Sequence, residues 1–417
     1  MYEHSETMEA EGVRDMAASY VVAPVEFKPD AVPTGYKRTE VGVIPKDWTT
    51  ERVGDFAILG RGRVISHNEI RKSITQRYPV YSSQTSQKGL MGSIDTYDFD
   101  GEYVTWTTDG VNAGSVFYRN GRFNCTNVCG TIKTRKGVDP KFLSLILNQH
   151  TFQYVSRNLA NPKLMNGVMA SIKLPLPSHT EQRAIANALS DIDALIESLD
   201  RLIAKKRAVK QGAMQQLLTG RKRLPGFELA WETKRLGDIA ETVMGQSPSS
   251  SNYNSKGVGL PLIQGNADIK GRKTIKRFFT TQITKRGRAG DILMSVRAPV
   301  GEISRATFDV CLGRGVCALR ALNDFFYHYL IYVEPRWAKH SSGSTFDSVN
   351  STDIKAVEIE IPCDPDEQTA IAAVLSDMDA EIEVLEHRRG KAHQIKQGMM
   401  QQLLTGRVRL VKPEAQP

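Results

Sequence analysis

Few groups in this chain are spaced for bond-making chemistry. Asn161-Pro162-Lys163-Leu164 and Asp139-Pro140-Lys141-Phe142 approach the (N/D)-P-P-(Y/F) phrase that holds an extruded base for methylation. Both lack the second proline, and the first also lacks the aromatic residue that would stack on the flipped base. The second opens a predicted helix, with Pro140 in its first turn. Glycine pairs at Gly60 and Gly313 lack the strand-turn-helix setting of a dinucleotide loop, and no G-x4-G-K-(S/T) phrase is present to cradle a nucleotide. No nuclease carboxylate cluster is evident either, since Pro365-Asp366-Glu367-Gln368 reads as a helix start. The eight histidines are scattered without metal-ligand spacing. Cys125 with Cys129, or Cys311 with Cys317, are close enough to imagine as metal pairs, but their apolar surroundings favour reduced thiols packed in strands.

Binding chemistry is better represented. The formal charge is +9, yet residues 1–30 hold seven acids against Arg14 and Lys28, a net of −5, which leaves about +14 on the rest. Ten basic residues lie between Lys256 and Arg297 against Asp268 and Asp291. Such a concentration favours a polyanionic partner, although a solvated basic surface explains many runs of this kind. Lys270, Arg272, Lys273, Lys276, Arg277, Arg286 and Arg288 read as loop and hairpin-edge cations suited to phosphates. Arg297 in "SVRAPVG" and Arg314 in "CLGRGVC" stand at turns beside predicted strands, where a guanidinium fork can meet a guanine edge. In the first half, Arg61, Arg63, Arg71 and Lys72 take the phosphate role. "WTTDGVNAGS" is the counterpart of "SVRAPVGE", and its Thr107, Thr108, Asp109 and Asn112 are candidate base-edge readers. For each residue a surface or turn role is the competing reading.

These groups need elements to position them, and the sequence shows those elements twice. Residues 181–224 lie on 367–410 without a gap, and 27 of the 44 aligned pairs are identical. "DWTTERVGD" at Asp47 and "AWETKRLGD" at Ala230 extend the duplication upstream. The chain is thus two variable segments, each closed by a nearly invariant one. The invariant segments are helical. Ser178 before Glu181, and Asp364 before Glu367, read as capping boxes, and Pro365 suits the first turn. Apolar residues then recur every three or four positions: Ile185, Leu189, Ile192, Ile196, Leu199 and Ile203 in one copy, Ile371, Leu375, Met378, Ile382 and Leu385 in the other. This is a coiled-coil seam, and the economical partner of each rod is the other rod. Gly220 and Gly406 stop the helices as left-handed residues. Capping and packing account for Gly and Leu of the repeated "QQLLTGR". They leave Gln215, Gln216, Thr219, Gln401, Gln402 and Thr405 unexplained, which suggests a shared docking surface at both ends. The variable segments carry short β-rich runs between Gly, Asn, Asp and Ser turns, with short helices at "PKFLSLILNQ" and "NDFFYHYLIYV", and read as compact α+β domains.

The arrangement resembles the specificity subunit of type I restriction–modification enzymes. The motifs that carry it are W-x4-(V/L)-G-D opening each half, EQ-x-A-I-A…LSD-x-D opening each helix, and QQLLTGR closing it, from about Thr34 to Leu410. The resemblance implies an α+β fold with two β-rich target-recognition domains. Each would be followed by a long helix, the two helices packed as an antiparallel coiled coil with pseudo-twofold symmetry. The divisions are an acidic extension (1–33), a first recognition domain (34–177), a central helix (178–223), a second recognition domain (224–363), a distal helix (364–410) and a tail (411–417). It implies a non-catalytic, DNA-reading chain that recognises an asymmetric bipartite target in double-stranded DNA. Its expected partners are two methyltransferase subunits and then restriction subunits. The chain itself would bind no cofactor, while the partners would use S-adenosylmethionine, ATP and Mg2+. Two rival readings are a subunit of a methyltransferase-only complex and a coiled-coil protein-interaction scaffold. No apolar run is long enough to span a bilayer, and the acidic N-terminus lacks a signal-peptide core, so a cytoplasmic location is expected.

Overall fold

The computed structural model describes residues 32–135, 137–156, 161–320, 323–341 and 348–411. The acidic extension and the tail fall almost wholly outside the described residues. Two compact units are present. One combines the chain up to Ser198 with that from Arg389 onward, and the other is Leu199–Arg388.

In the first unit, β1 (Tyr36–Thr39) and β2 (Gly42–Pro45) form a hairpin. Strand β3 (Thr49–Arg52) leads through a single turn, α1 (Val53–Phe56), into β4 (Ala57–Arg61). Then come α2 (His67–Lys72), β5 (Tyr78–Tyr81), β6 (Leu90–Ile94), β7 (Tyr103–Thr107), β8 (Val116–Arg119), β9 (Asn124–Cys125) and β10 (Cys129–Thr134). Helices α3 (Pro140–His150) and α4 (Asn166–Ser171) precede β11 (Lys173–Leu176) and the long helix α5 (His179–Leu217). Asp139 caps α3 by accepting from the Phe142 N–H at 2.9 Å, which accounts for the near-miss methylation phrase as a helix start. One sheet has the order β4-β10-β7-β8 and a second the order β6-β5-β9, with β5 and β9 parallel, while β3 pairs with β11.

The second unit repeats this plan with an enlarged rim. Its elements begin with β12 (Trp231–Arg235), α6 (Leu236–Ile239), β13 (Glu241–Met244), β14 (Tyr253–Asn254), β15 (Leu260–Ile263), β16 (Ile269–Lys270) and β17 (Lys273–Thr274). They continue with β18 (Phe278–Thr280), β19 (Arg286–Gly287), β20 (Ile292–Ser295), β21 (Ile303–Arg305), β22 (Val310–Leu312) and β23 (Val316–Arg320). Helices α7 (Phe325–Ser341) and α8 (Ser351–Ala356), strand β24 (Glu358–Pro362) and helix α9 (Pro365–Leu403) complete it. The order β13-β23-β20-β21 reproduces β4-β10-β7-β8, and β18-β15-β22 reproduces β6-β5-β9. The β12-β24 pair reproduces β3-β11. The additions are β17-β16 at one sheet edge, and β14 and β19 at the edges of the other.

Each unit therefore holds the first half of one long helix beside the second half of the other. In the first, Ile185 and Leu189 of α5 share a core with Leu403 and Leu404 beside Trp48, Val53, Phe142 and Ile146. In the second, Ile371 and Leu375 of α9 share a core with Met214, Leu217 and Leu218 beside Leu236, Phe325 and Ile359. Side chains of this size contribute about 1.5–3 kcal/mol each when fully buried. The helix halves run antiparallel. Lys396 bonds Asp193 at 2.6 Å in the first unit, and in the second Lys206 bonds Glu381 at 2.6 Å and Lys210 pairs with Asp379 at 2.5 Å. Those pairs explain why the seam turns polar after Ile203. Ile196, Leu199, Ile203 and Ile382 are buried, while Ile192, Met378 and Leu385 are half-buried. The opening residues of each seam, Ile185 and Leu189 or Ile371 and Leu375, pack against the other helix and also on the adjoining β-domain.

Candidate nucleic-acid interface

In the first unit, five segments meet at one end of the two sheets. Gly62 N–H donates to the Cys129 carbonyl, Thr108 N–H to Val128, Thr126 N–H to Tyr81 and Leu164 N–H to Thr108, at 2.8–3.1 Å. Cys129 N–H closes the 126–129 turn on Thr126 at 2.9 Å, and Gly114 N–H returns to Thr107 at 2.9 Å. Backbone bonding of this density fixes the side chains that project from the rim. Arg61 sends Nε to the Asn127 carbonyl at 2.5 Å and Nη2 to Asp109 Oδ2 at 3.0 Å and Thr108 Oγ1 at 3.3 Å. Lys163 Nζ lies 3.7 Å from Asp109 Oδ1.

The second unit builds the same rim bond for bond. Gly245 N–H donates to Val316, Val296 to Gly315, Gly313 to Ile263, Val349 to Val296, Val316 to Gly313 and Gly301 to Ser295, at 2.8–3.2 Å. The matched bridges Asp109–Lys163 and Arg297–Ser348 agree with this register. Arg297 therefore occupies the position of Asp109, Arg314 that of Asn127, Ser348 that of Lys163, and Met244 that of Arg61. Arg297 and Arg314 are exposed, and their guanidinium groups make no hydrogen bond or ion pair among the described residues. Backbone register thus upholds the equivalence of "WTTDGVNAGS" and "SVRAPVGE", two loops with little sequence in common.

The other expected contacts divide by what already holds them. Thr107 and Thr108 are 1% and 0% exposed, so the expectation that their hydroxyls meet base edges is corrected for the chain as folded. Thr107 closes β7, whose last four residues are all buried, and Thr108 follows it directly. Asn112 is half-buried and donates to the Ser83 carbonyl at 3.1 Å. Arg63 is held by Glu69 at 2.6 Å and Asp98 at 3.0 Å, and Glu69 raises its pKa. Arg71 and Lys72 end α2, exposed and, among the described residues, without such partners. In the second unit Arg272 reaches Glu334 at 2.6 Å, Lys273 reaches Glu383 at 2.6 Å and Arg286 reaches Asp309 at 2.6 Å. Arg277 bonds the Ala267 carbonyl at 2.9 Å, and Lys276 lies over the Phe308 ring at 4.9 Å. Lys270 and Arg288 are exposed with free side-chain nitrogens among the described residues. Lys163, absent from the sequence expectations, joins the first rim. Its signal was hidden because "NPKL" was weighed as catalytic chemistry.

At the foot of each domain a second constellation recurs. Glu181, 1% exposed, accepts from Trp48 Nε1 at 3.1 Å and from Arg409 Nε and Nη2 at 2.5 and 2.7 Å, while Arg409 also holds Asp47 at 2.7 Å. Glu367, 0% exposed, accepts from Arg223 Nε and Nη2 at 2.5 and 2.6 Å. Burial disfavours the Arg409 cation, but the bonds and charges of Glu181 and Asp47 outweigh it and raise its pKa. The capping-box expectation is corrected here. Ser178 does accept from Glu181 N–H at 3.4 Å, but the Glu181 carboxylate turns to an arginine and an indole instead of back to the cap. Thr219 and Thr405 bond the carbonyls of Gln215 and Gln401 at 2.6 and 2.5 Å, a local cap that accounts for the repeated threonine. Gln215, Gln216 and Gln401 are exposed, and Gln402 is half-buried with its Oε1 unpartnered.

The five cysteines are free thiols, and burial pushes Cys129 up to about 11 and Cys317 up to about 12. Among the described residues no group of three or more His, Cys, Asp or Glu is placed to hold a metal, and no helix is long and apolar enough to cross a membrane.

Comparison with known proteins agrees with this geometry. The type I restriction modification DNA specificity domain matches twice, at residues 45–205 and 228–394. A putative type I restriction enzyme specificity subunit from Methanocaldococcus jannaschii is 28% identical over 412 residues, covering 90% of this chain and 97% of that one. A putative type I specificity subunit from Mycoplasma pneumoniae is 31% identical over 330 residues, covering 78% and 88%. In fold, the chain is similar to the crystal structure of a type I restriction-modification S subunit from M. genitalium, with a TM-score of 0.66 at 16% identity over 92% of this chain and 99% of that one. Two copies of one domain, each ending in the same helix, are accounted for together: the chain belongs to the type I restriction–modification specificity subunit family.

Proposed function

We propose that this chain is the DNA-reading subunit of a type I restriction–modification complex. Each β-domain would recognise one half of a bipartite target in double-stranded DNA. The observation that carries this reading is the pair of rims with the same backbone bonding and different side chains. Identical scaffolds with unlike reading groups call for half-sites that differ. The catalytic steps would come from partners: two methyltransferase subunits using S-adenosylmethionine, and restriction subunits using ATP and Mg2+. The two similar halves supply two equivalent places for the former, and Gln215, Gln216 and Gln401 are exposed side chains available there. No bond-making step is assigned to this chain.

The test is salt-dependent association of the purified complex with a fluorescent duplex of mixed sequence. Log affinity should fall linearly with log salt, at a slope near −0.9 per phosphate neutralised. Retention that ignores salt would overturn the reading.

A further inference from the structure

The two rims carry their arginines on different segments. In the first domain the cation rises from the end of β4 as Arg61, and Asp109 faces it from the neighbouring loop. In the second, Met244 stands in the place of Arg61, and arginines replace two of the three residues that held it, Asp109 and Asn127. We propose that each domain reads a guanine at this rim through an arginine fork brought from a different side. The fork is Arg61 in the first domain, with Asp109 as its positioning residue. In the second domain it is supplied by Arg297 and Arg314.

Two observations and one electrostatic argument select a base edge over a phosphate. Arg61 is clamped through Nε by the Asn127 carbonyl and through Nη2 by Asp109 Oδ2 and Thr108 Oγ1, two acceptors 2.5 Å apart that can share one N–H; with that N–H shared, Nη1 and the outer N–H of Nη2 form a planar donor pair. Such a pair matches O6 and N7 of guanine in the major groove. The side chain of Arg61 is 39% exposed and that of Asp109 only 15%, so the guanidinium is presented while the carboxylate stays behind it. A carboxylate facing the DNA backbone would meet like charge, whereas behind a base-reading arginine it fixes the fork and reduces the entropy lost on contact. Among the described residues Arg297 and Arg314 have no such brace, and backbone position is what holds these forks in the second domain. They project from the equivalents of Asp109 and Asn127, so the second fork approaches its base pair from the other flank of the rim.

The inference rests on the DNA-reading assignment, and the experiment separates the two. The full chain, assembled with its methyltransferase subunits, is used to select from a pool of randomised duplexes, and the retained sequences are read position by position. Wild type should retain a gapped motif with a guanine in each half. Arg61→Met installs the second domain's own residue and should flatten one guanine position of one half by roughly ten- to a hundred-fold. Asp109→Asn should weaken the same position by a smaller factor and leave the salt slope unchanged. Arg297→Ala and Arg314→Ala should flatten preference only in the opposite half, and both remove exposed side chains that the fold does not use. Uniform loss across all sequences with Arg61→Met, with the salt slope reduced by about one, would mark a phosphate contact and overturn the inference. An unchanged profile with Asp109→Asn would overturn its positioning role. Absence of any gapped motif with wild type would defeat the DNA-reading assignment itself.

Discussion

At the scale of single residues, the meaning of the repeated QQLLTGR phrase lies two positions past its end, at Arg223 and Arg409. Arg223 and Arg409 each end on a glutamate that opens the other long helix, and both glutamates are buried. Removing the arginine leaves the buried Glu367 carboxylate without its partner, so Arg223→Met should destabilise the second unit. Denaturant unfolding monitored by fluorescence checks this, and an unchanged midpoint would contradict it. The same pairing shows what the sequence could and could not convey. Glu at the third helical position is equally suited to a capping box and to an ion pair. The choice is made by an arginine 228 residues away, which local pattern cannot register. Thr107 and Thr108 misled for a related reason. They were read with the WTTDGVNAGS loop, but long-range pairing covers β7 on both sides, so four of its five residues are buried and Thr108 beyond it is 0% exposed.

At the scale of elements, the helices were the most legible part, because their caps, stops and period are local properties. Gly220 and Gly406 do adopt φ of +65° and +67°. Their surroundings differ, however. A Cβ on Gly406 would come within 2.5 Å of Pro45 Cγ, whereas on Gly220 the nearest atom is Trp231 Cε2 at 3.3 Å. Gly220→Ala should therefore cost about 1–2 kcal/mol from backbone strain alone, and Gly406→Ala more. Thermal melts of the two variants test the order, and equal losses would contradict it. Helix α7 carries a pH-sensitive group. His328 is buried, with Nε2 3.0 Å from Ser376 Oγ and Nδ1 3.9 Å from Asp379, and Lys210, Asp324 and Arg305 lie near. Burial, with Lys210 and Arg305 adding to it against Asp379 and Asp324, pushes the imidazole down from 6.5 to about 4. The folded value lies below the unfolded one, so the unfolded chain takes up a proton that the folded chain refuses. Stability is full above the unfolded value and is lost as pH falls from 6.5 toward 4, by on the order of 3 kcal/mol. His328→Gln should remove that share of acid sensitivity, read as a smaller difference in melting temperature between about pH 7 and about pH 5. An unchanged difference would contradict the assignment.

At the scale of the whole molecule, duplication made the architecture readable from sequence, because 27 identities in 44 pairs cannot be local coincidence. The shared topology of the two β-domains was less visible. Its strands are short, and their order is set by long-range pairing such as β5 with β9 and β15 with β22. Once that topology is known, the two rims line up through their backbone bonds, and the residues on them separate into fixed scaffold and differing readers. One scaffold bearing two unlike readers predicts one kind of target. The most direct measurement is the methylated-base map of the host genome, compared between cells that carry this chain and cells from which it has been deleted. The account predicts that one motif disappears on deletion, made of two unlike specified halves separated by unspecified base pairs. A motif that is uninterrupted, or whose halves are identical, would contradict it.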